Sequence, residues 1–276
     1  MPMFAHCFLL VFGQLAVGGF FALGQLPFHD IERGFYKSSA AVFLASALCI
    51  SLGELALVGR SSGGATTGAP LLEVGGWSVF ALAASVYVAS LWGDPYRRRA
   101  VAYVATLVSG LCALVASALH FSQAPPWSLE TLLYPLSFLV SALLLGATAC
   151  GMLLGHWYLI DVGMPLAPFV RIWRLYRTSL LLQLGTLALS LALLQLAGGA
   201  ATSSALHALW TDHRELLWTR LGLGPIPALA IAWMIWRTLA IPQTMAATGL
   251  FYVALLTTVV GEMLGRFLLY RTSLPL

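Results

Sequence analysis

Eight apolar runs, each long enough to cross a bilayer, fill most of this 276-residue chain, and no other feature restricts its fold so severely. They lie at approximately 4–26, 38–59, 74–93, 99–121, 131–156, 175–197, 216–240 and 245–270, bounded by polar residues, glycine or proline. A hydrocarbon core roughly 30 Å thick takes about 20 helical residues to cross. Backbone amides in lipid must also find their partners inside the segment, which selects helices. The expected fold is therefore all-α: a polytopic membrane protein, a bundle of eight transmembrane helices forming a single domain over residues 1–276. The first run is too long and too glycine-rich for a cleavable signal peptide and has no small-residue cleavage site, so it is read as a mature span.

Composition removes the main alternative. Only 24 side chains are charged, 14 basic and 10 acidic, whereas a soluble domain carries about a quarter. A soluble enzyme is excluded, and the spans leave no room for a separate folded domain. The net charge of +4 does not point to nucleic acid, because the basic residues sit between apolar runs and act as topology signals. Cys7, Cys49, Cys112 and Cys150 lie within apolar runs without metal-ligand spacing, so each is expected to be a small packing residue.

An even number of spans puts both termini on one face, here called X, together with the two longer connections, Ser61 to Pro70 and Gly198 to His213. The opposite face, Y, carries Arg33, Lys37, Arg97, Arg98, Arg99, Arg171, Arg174, Arg177 and Arg237; face X carries Arg60, Arg214, Arg220, Arg266 and Arg271. Nine against five makes Y cytoplasmic and turns both termini outward. The two halves share no obvious similarity, which an inverted-repeat transporter often has.

Ionisable groups within spans are costly unless paired or wetted and are functional candidates for that reason. The sharpest case is Gly261-Glu262-Met263-Leu264-Gly265-Arg266. Glu262 and Arg266 are four apart and share a helical face, and eight residues from Glu262 to Tyr270 place the carboxylate roughly 12 Å below that ring. Arg220 is expected at similar depth, just before a kink at Pro225 and Pro227. Two readings stand for this trio: an ion-pair cluster joining helices, or a proton acceptor beside a ligand cavity. His6, Gln14, Glu54 and His120 gather towards the same face. Imidazole and carboxylate groups on an apolar pocket are what quinol chemistry requires, since a hydroquinone hydrogen-bonds through its hydroxyls and then releases protons. The same groups also suit simple snorkelling. The pairs His6 with His120 and His29 with His156 share faces and offer a bis-histidine haem b as an alternative.

Three stretches resemble one family, the membrane anchor subunit of dimethyl sulfoxide reductase-type molybdoenzymes. They are Val11-Phe12-Gly13-Gln14 with Gly18-Gly19-Phe20, the turn Ala124-Pro125-Pro126-Trp127 leading into Tyr134-Pro135-Leu136, and the closing Gly261-Glu262-x-x-Gly265-Arg266-x-x-x-Tyr270. The last is the most specific, and order, spacing and span count agree over nearly the whole chain. The resemblance implies an eight-helix, non-catalytic subunit of an oxidoreductase complex in the cell's inner (cytoplasmic) membrane. It implies a protein that binds menaquinol or another quinol, has no haem of its own, and passes electrons to an iron–sulfur partner assembled with a larger catalytic subunit. One departure stands out: the family has an essential histidine at the end of its second helix, where this chain reads Ser51-Leu52-Gly53-Glu54-Leu55. The expected quinone-binding and proton-relay residues are Glu262, Arg266, His120, Glu54, Gln14 and Arg220, with His120 the candidate to replace the missing histidine and face X the partner surface. A structural subunit or a transporter is the other alternative.

Overall fold

The computed structural model describes residues 2–61, 68–93, 96–122, 128–161 and 163–276. The described residues form ten helices in chain order: α1 (Pro2–Gly24), α2 (Arg33–Ser61), α3 (Gly68–Ser90), α4 (Tyr96–His120), α5 (Leu129–Ile160), α6 (Ala167–Ala197), α7 (Ala200–Thr211), α8 (Arg214–Leu223), α9 (Pro225–Ala240) and α10 (Thr244–Thr272). There is no strand among the described residues. Helices α1 to α6, the α8–α9 pair and α10 give eight spans long and apolar enough to cross a membrane, one for each run in the sequence. The chain is thus a multi-pass helical bundle.

Two spans form its centre. In α1 and α5, 72% and 78% of the most apolar stretch is buried inside the protein, against 28–39% for the other six. Small residues make this possible. A Cβ placed on Gly18 would lie 1.7 Å from the Ala142 carbonyl oxygen, and one on Gly146 would lie 2.0 Å from the Gly18 carbonyl carbon. Helices α1 and α5 therefore touch main chain to main chain, the close approach that small residues allow where lipid supplies no hydrophobic drive. The outer helices turn Leu72, Val79, Leu82, Val101 and Val104 away from the core. Such a surface suits lipid and accounts for the scarcity of charge.

The seventh span is discontinuous. Pro225 and Pro227 lack the N–H groups that would bond the carbonyls of Leu221 and Leu223, and α8 ends at Leu223 before α9 starts at Pro225. At the break, Gly224 lies against α10: a Cβ on Gly261 would come within 2.8 Å of the Gly224 Cα. Both termini reach face X, where the His6 ring stacks on Tyr270 with centroids 6.2 Å apart. Tyr134 also donates a 2.6 Å hydrogen bond there to the Ser273 carbonyl.

Three expectations need correction or limits. The Gly198–His213 connection is not a loop throughout, because α7 occupies most of it and buries Leu206 and Leu209 among Leu217, Leu268 and Leu276. Cys112 is exposed, whereas Cys7 and Cys150 are buried and the half-buried Cys49 packs against the core. The proline–tryptophan turn at 124–127 and most of the Ser61–Pro70 connection lie outside the described residues.

Candidate functional site

The polar residues fall into two clusters at different depths. The deeper one is built around the closing motif of α10. Glu262 is ten residues before Thr272, the last residue of α10, which is about 15 Å along a helix. Its Oε2 accepts from Arg266 Nη2 at 3.3 Å and its Oε1 accepts from Gln183 Nε2 on α6 at 3.1 Å. Arg266 also donates to Ser141 Oγ on α5 at 2.6 Å, and its guanidinium lies 4.3 Å from the centroid of Phe138. Both ends of the pair are buried, Glu262 at 4% exposure and Arg266 at 0%.

Arg220 completes this cluster, buried on α8 and within electrostatic reach of Glu262 and Arg266. Its guanidinium lies directly over Gly265, where a Cβ would sit 2.7 Å from the arginine Cζ. Each fixed position of the motif now has a physical reason. Gly261 admits the α8–α9 break, Glu262 bonds α6, Gly265 admits Arg220 and Arg266 bonds α5. Gln14 adjoins the same region from α1, fully buried and donating to the Phe138 carbonyl at 3.1 Å. Its Oε1 has no partner.

The second cluster lies nearer face X. His6 Nδ1 and Glu54 Oε1 are 3.2 Å apart, joining α1 to α2. The His6 ring stacks on Tyr270, whose other neighbour, Phe121, meets it edge-on at 4.9 Å. Across the same end, Trp77 Nε1 on α3 donates to Ser117 Oγ at 3.0 Å, and Ser117 Oγ donates to Glu73 Oε1 at 2.5 Å. Glu54 and Glu73 both lie within electrostatic reach of His6 and Tyr270. One end of the bundle thus gathers two carboxylates, an imidazole and a phenol. Glu262, Arg266 and Tyr270 follow at four-residue steps on α10, so one helix face links the two clusters.

The six residues singled out from the sequence therefore divide. Glu262, Arg266 and Arg220 come together at depth with Gln14 beside them, and Glu54 belongs to the face-X cluster. His120 joins neither: it is exposed at the end of α4, and its recorded ring contact is with its neighbour Phe121 at 5.9 Å. The histidine in contact with Glu54 is His6. Glu73, Ser117, Trp77, Gln183 and Ser141 were not singled out. For Glu73 a signal existed, since it immediately precedes its apolar run on the face-X side.

A large apolar groove of about 400 Å³ runs between α1, α4 and α5, lined by Val17, Gly18, Leu107, Leu111, Leu139 and Ala142 among others. Its lining is wholly apolar, so it suits a hydrocarbon chain and not a polar ligand. Among the described residues no group of three His, Cys, Asp or Glu side chains is placed to hold a metal ion. Comparison with family models, curated proteins and solved structures found no match to this chain.

Proposed function

We propose that the protein is the membrane anchor and quinol/quinone-binding subunit of an electron-transfer complex, working with an iron–sulfur partner and a larger catalytic subunit. The observation that carries this reading is the convergence at face X of Glu54, Glu73, His6 and Tyr270 inside an otherwise apolar bundle. A bound hydroquinone supplies two electrons and two protons on oxidation. The residues fit such a group: carboxylates and imidazole accept hydrogen bonds and protons from hydroxyls, while flanking rings pack against an aromatic head. Glu73 is held by Ser117, which is itself held by Trp77, so the carboxylate keeps a fixed direction. Glu54 and His6 form an acid–base couple that shares one proton and can pass it towards the aqueous side of face X. The apolar groove between α1, α4 and α5 offers room for a long hydrocarbon tail.

In this reading the deeper trio of Glu262, Arg266 and Arg220 holds α5, α6, α8 and α10 in register beneath the face-X cluster. The resemblance of its motif to the molybdoenzyme anchor family supports the same assignment, and the arginine count favours a cytoplasmic face Y with the partner on face X. One observation favours a second reading, a transporter: the span broken at Gly224 beside the buried Glu262 carboxylate. Purification of the full chain in mild detergent separates the two. The anchor reading expects an iron–sulfur protein to copurify and quinone to be extractable; a chain that purifies alone, free of quinone, overturns it.

A further inference from the structure

The charge of the deep cluster does not balance. Arg220 and Arg266 contribute two positive charges and Glu262 one negative, all buried within the spans. Arginine does not lose its proton in proteins, and protonating Glu262 would widen the excess. A small cavity of about 10 Å³ opens at this point, lined by Gln183, Arg220, Thr258, Gly261, Glu262 and Gly224 among others. Three buried polar atoms of its lining have no hydrogen-bond partner: Gln183 Oε1, Arg220 Nη1 and Thr258 Oγ1. Arg266 Nε and Nη1 beside it are equally unpartnered. Native proteins rarely leave such atoms unsatisfied, because burying a polar atom without a partner is costly.

The identity of the missing group follows from charge and size. At about 10 Å³ the cavity takes one small species at most and excludes a phosphate or a quinone ring. The unpartnered guanidinium N–H groups and the Thr258 hydroxyl can donate, whereas Gln183 Oε1 and the Glu262 carboxylate in the same lining are acceptors; the uncompensated charge is positive. A cation would add to the excess, and a water would satisfy donors without correcting it. We propose that this cavity is a monovalent-anion site, with chloride as its ligand, closing the charge balance where α8 and α9 break against α10. The site is independent of the quinone reading, which rests on face X.

The test is thermal unfolding of the purified full chain in detergent, titrated with sodium chloride or bromide against sodium gluconate at constant ionic strength. The expected result is a saturable rise in Tm with chloride and bromide only, roughly 3–6 °C at ten times the Kd. Arg220→Met leaves Glu262 and Arg266 as a neutral pair and should abolish the dependence. If that variant does not fold, Thr258→Val and an anomalous bromide peak in the cavity decide instead. Equal Tm in all three salts, a rise that survives both substitutions, or a cavity holding water without bromide signal overturns the proposal.

Discussion

Replacing Glu262 by Gln changes almost nothing in size and removes one charge, which makes it the sharpest perturbation of the deep cluster. The carboxylate accepts from Arg266 at 3.3 Å and from Gln183 at 3.1 Å, and it is 4% exposed. Breaking a buried ion pair by removing one partner costs about 3–5 kcal/mol, because the other charge is left uncompensated. Here two guanidinium groups are left, so the upper half of that range is expected. At roughly 2–4 °C per kcal/mol for a chain of this size, Tm should fall by about 8–20 °C. Glu54→Gln is the control. Its partner His6 is a third exposed, so water screens the pair and the loss should stay within about 1 kcal/mol. Parallel unfolding of both variants in detergent, followed by helical circular dichroism, reads the difference. Equal Tm values for Glu262→Gln and wild type would refute the claim that the deep cluster holds the helices together.

Other outcomes follow from the same geometry. Gly146→Val forces a side chain into the Gly18 main chain, where even a Cβ has no space; α1 and α5 must separate, and the folded yield in detergent should collapse. Gly265→Ala pushes on the guanidinium of Arg220, the movable end of a long side chain, so about 1–3 kcal/mol is expected from chemical unfolding. Trp77→Phe removes the donor to Ser117; it should lower stability by about 1 kcal/mol and weaken quinol-analogue binding by freeing Glu73. His120→Ala should leave quinol-analogue affinity unchanged within a factor of two, because the imidazole is exposed outside both clusters.

The spans were legible because bilayer thickness and backbone satisfaction act on any chain through local sequence, and each apolar run became helical, the seventh in two pieces. The pairing of Glu262 with Arg266 was legible for the same reason, being a contact four residues along one helix. Their other partners were not. Gln183 is 79 residues from Glu262, and Ser141 is 125 residues from Arg266; only helix packing brings them together. The exposure of His120 was not legible either, because the direction in which the last residue of α4 points depends on how that helix packs. Glu73 was passed over because a carboxylate at the start of an apolar run reads as an interfacial residue. Its bond from Ser117, 44 residues away, depends on the packing of α3 against α4. Likewise, Pro225 and Pro227 announced a kink, but its contact with Gly261 depends on how α10 lies.

The central claim, that the face-X cluster binds a quinol head, meets its most direct test in the affinity of the purified full chain for a fluorescent quinol analogue, with and without Glu73→Gln. A hydrogen bond to a charged group contributes about 1.5–3 kcal/mol, so the account predicts saturable binding to wild type and a Kd raised roughly 10- to 100-fold in the variant. No saturable binding to wild type, or the same Kd for both proteins, would contradict it.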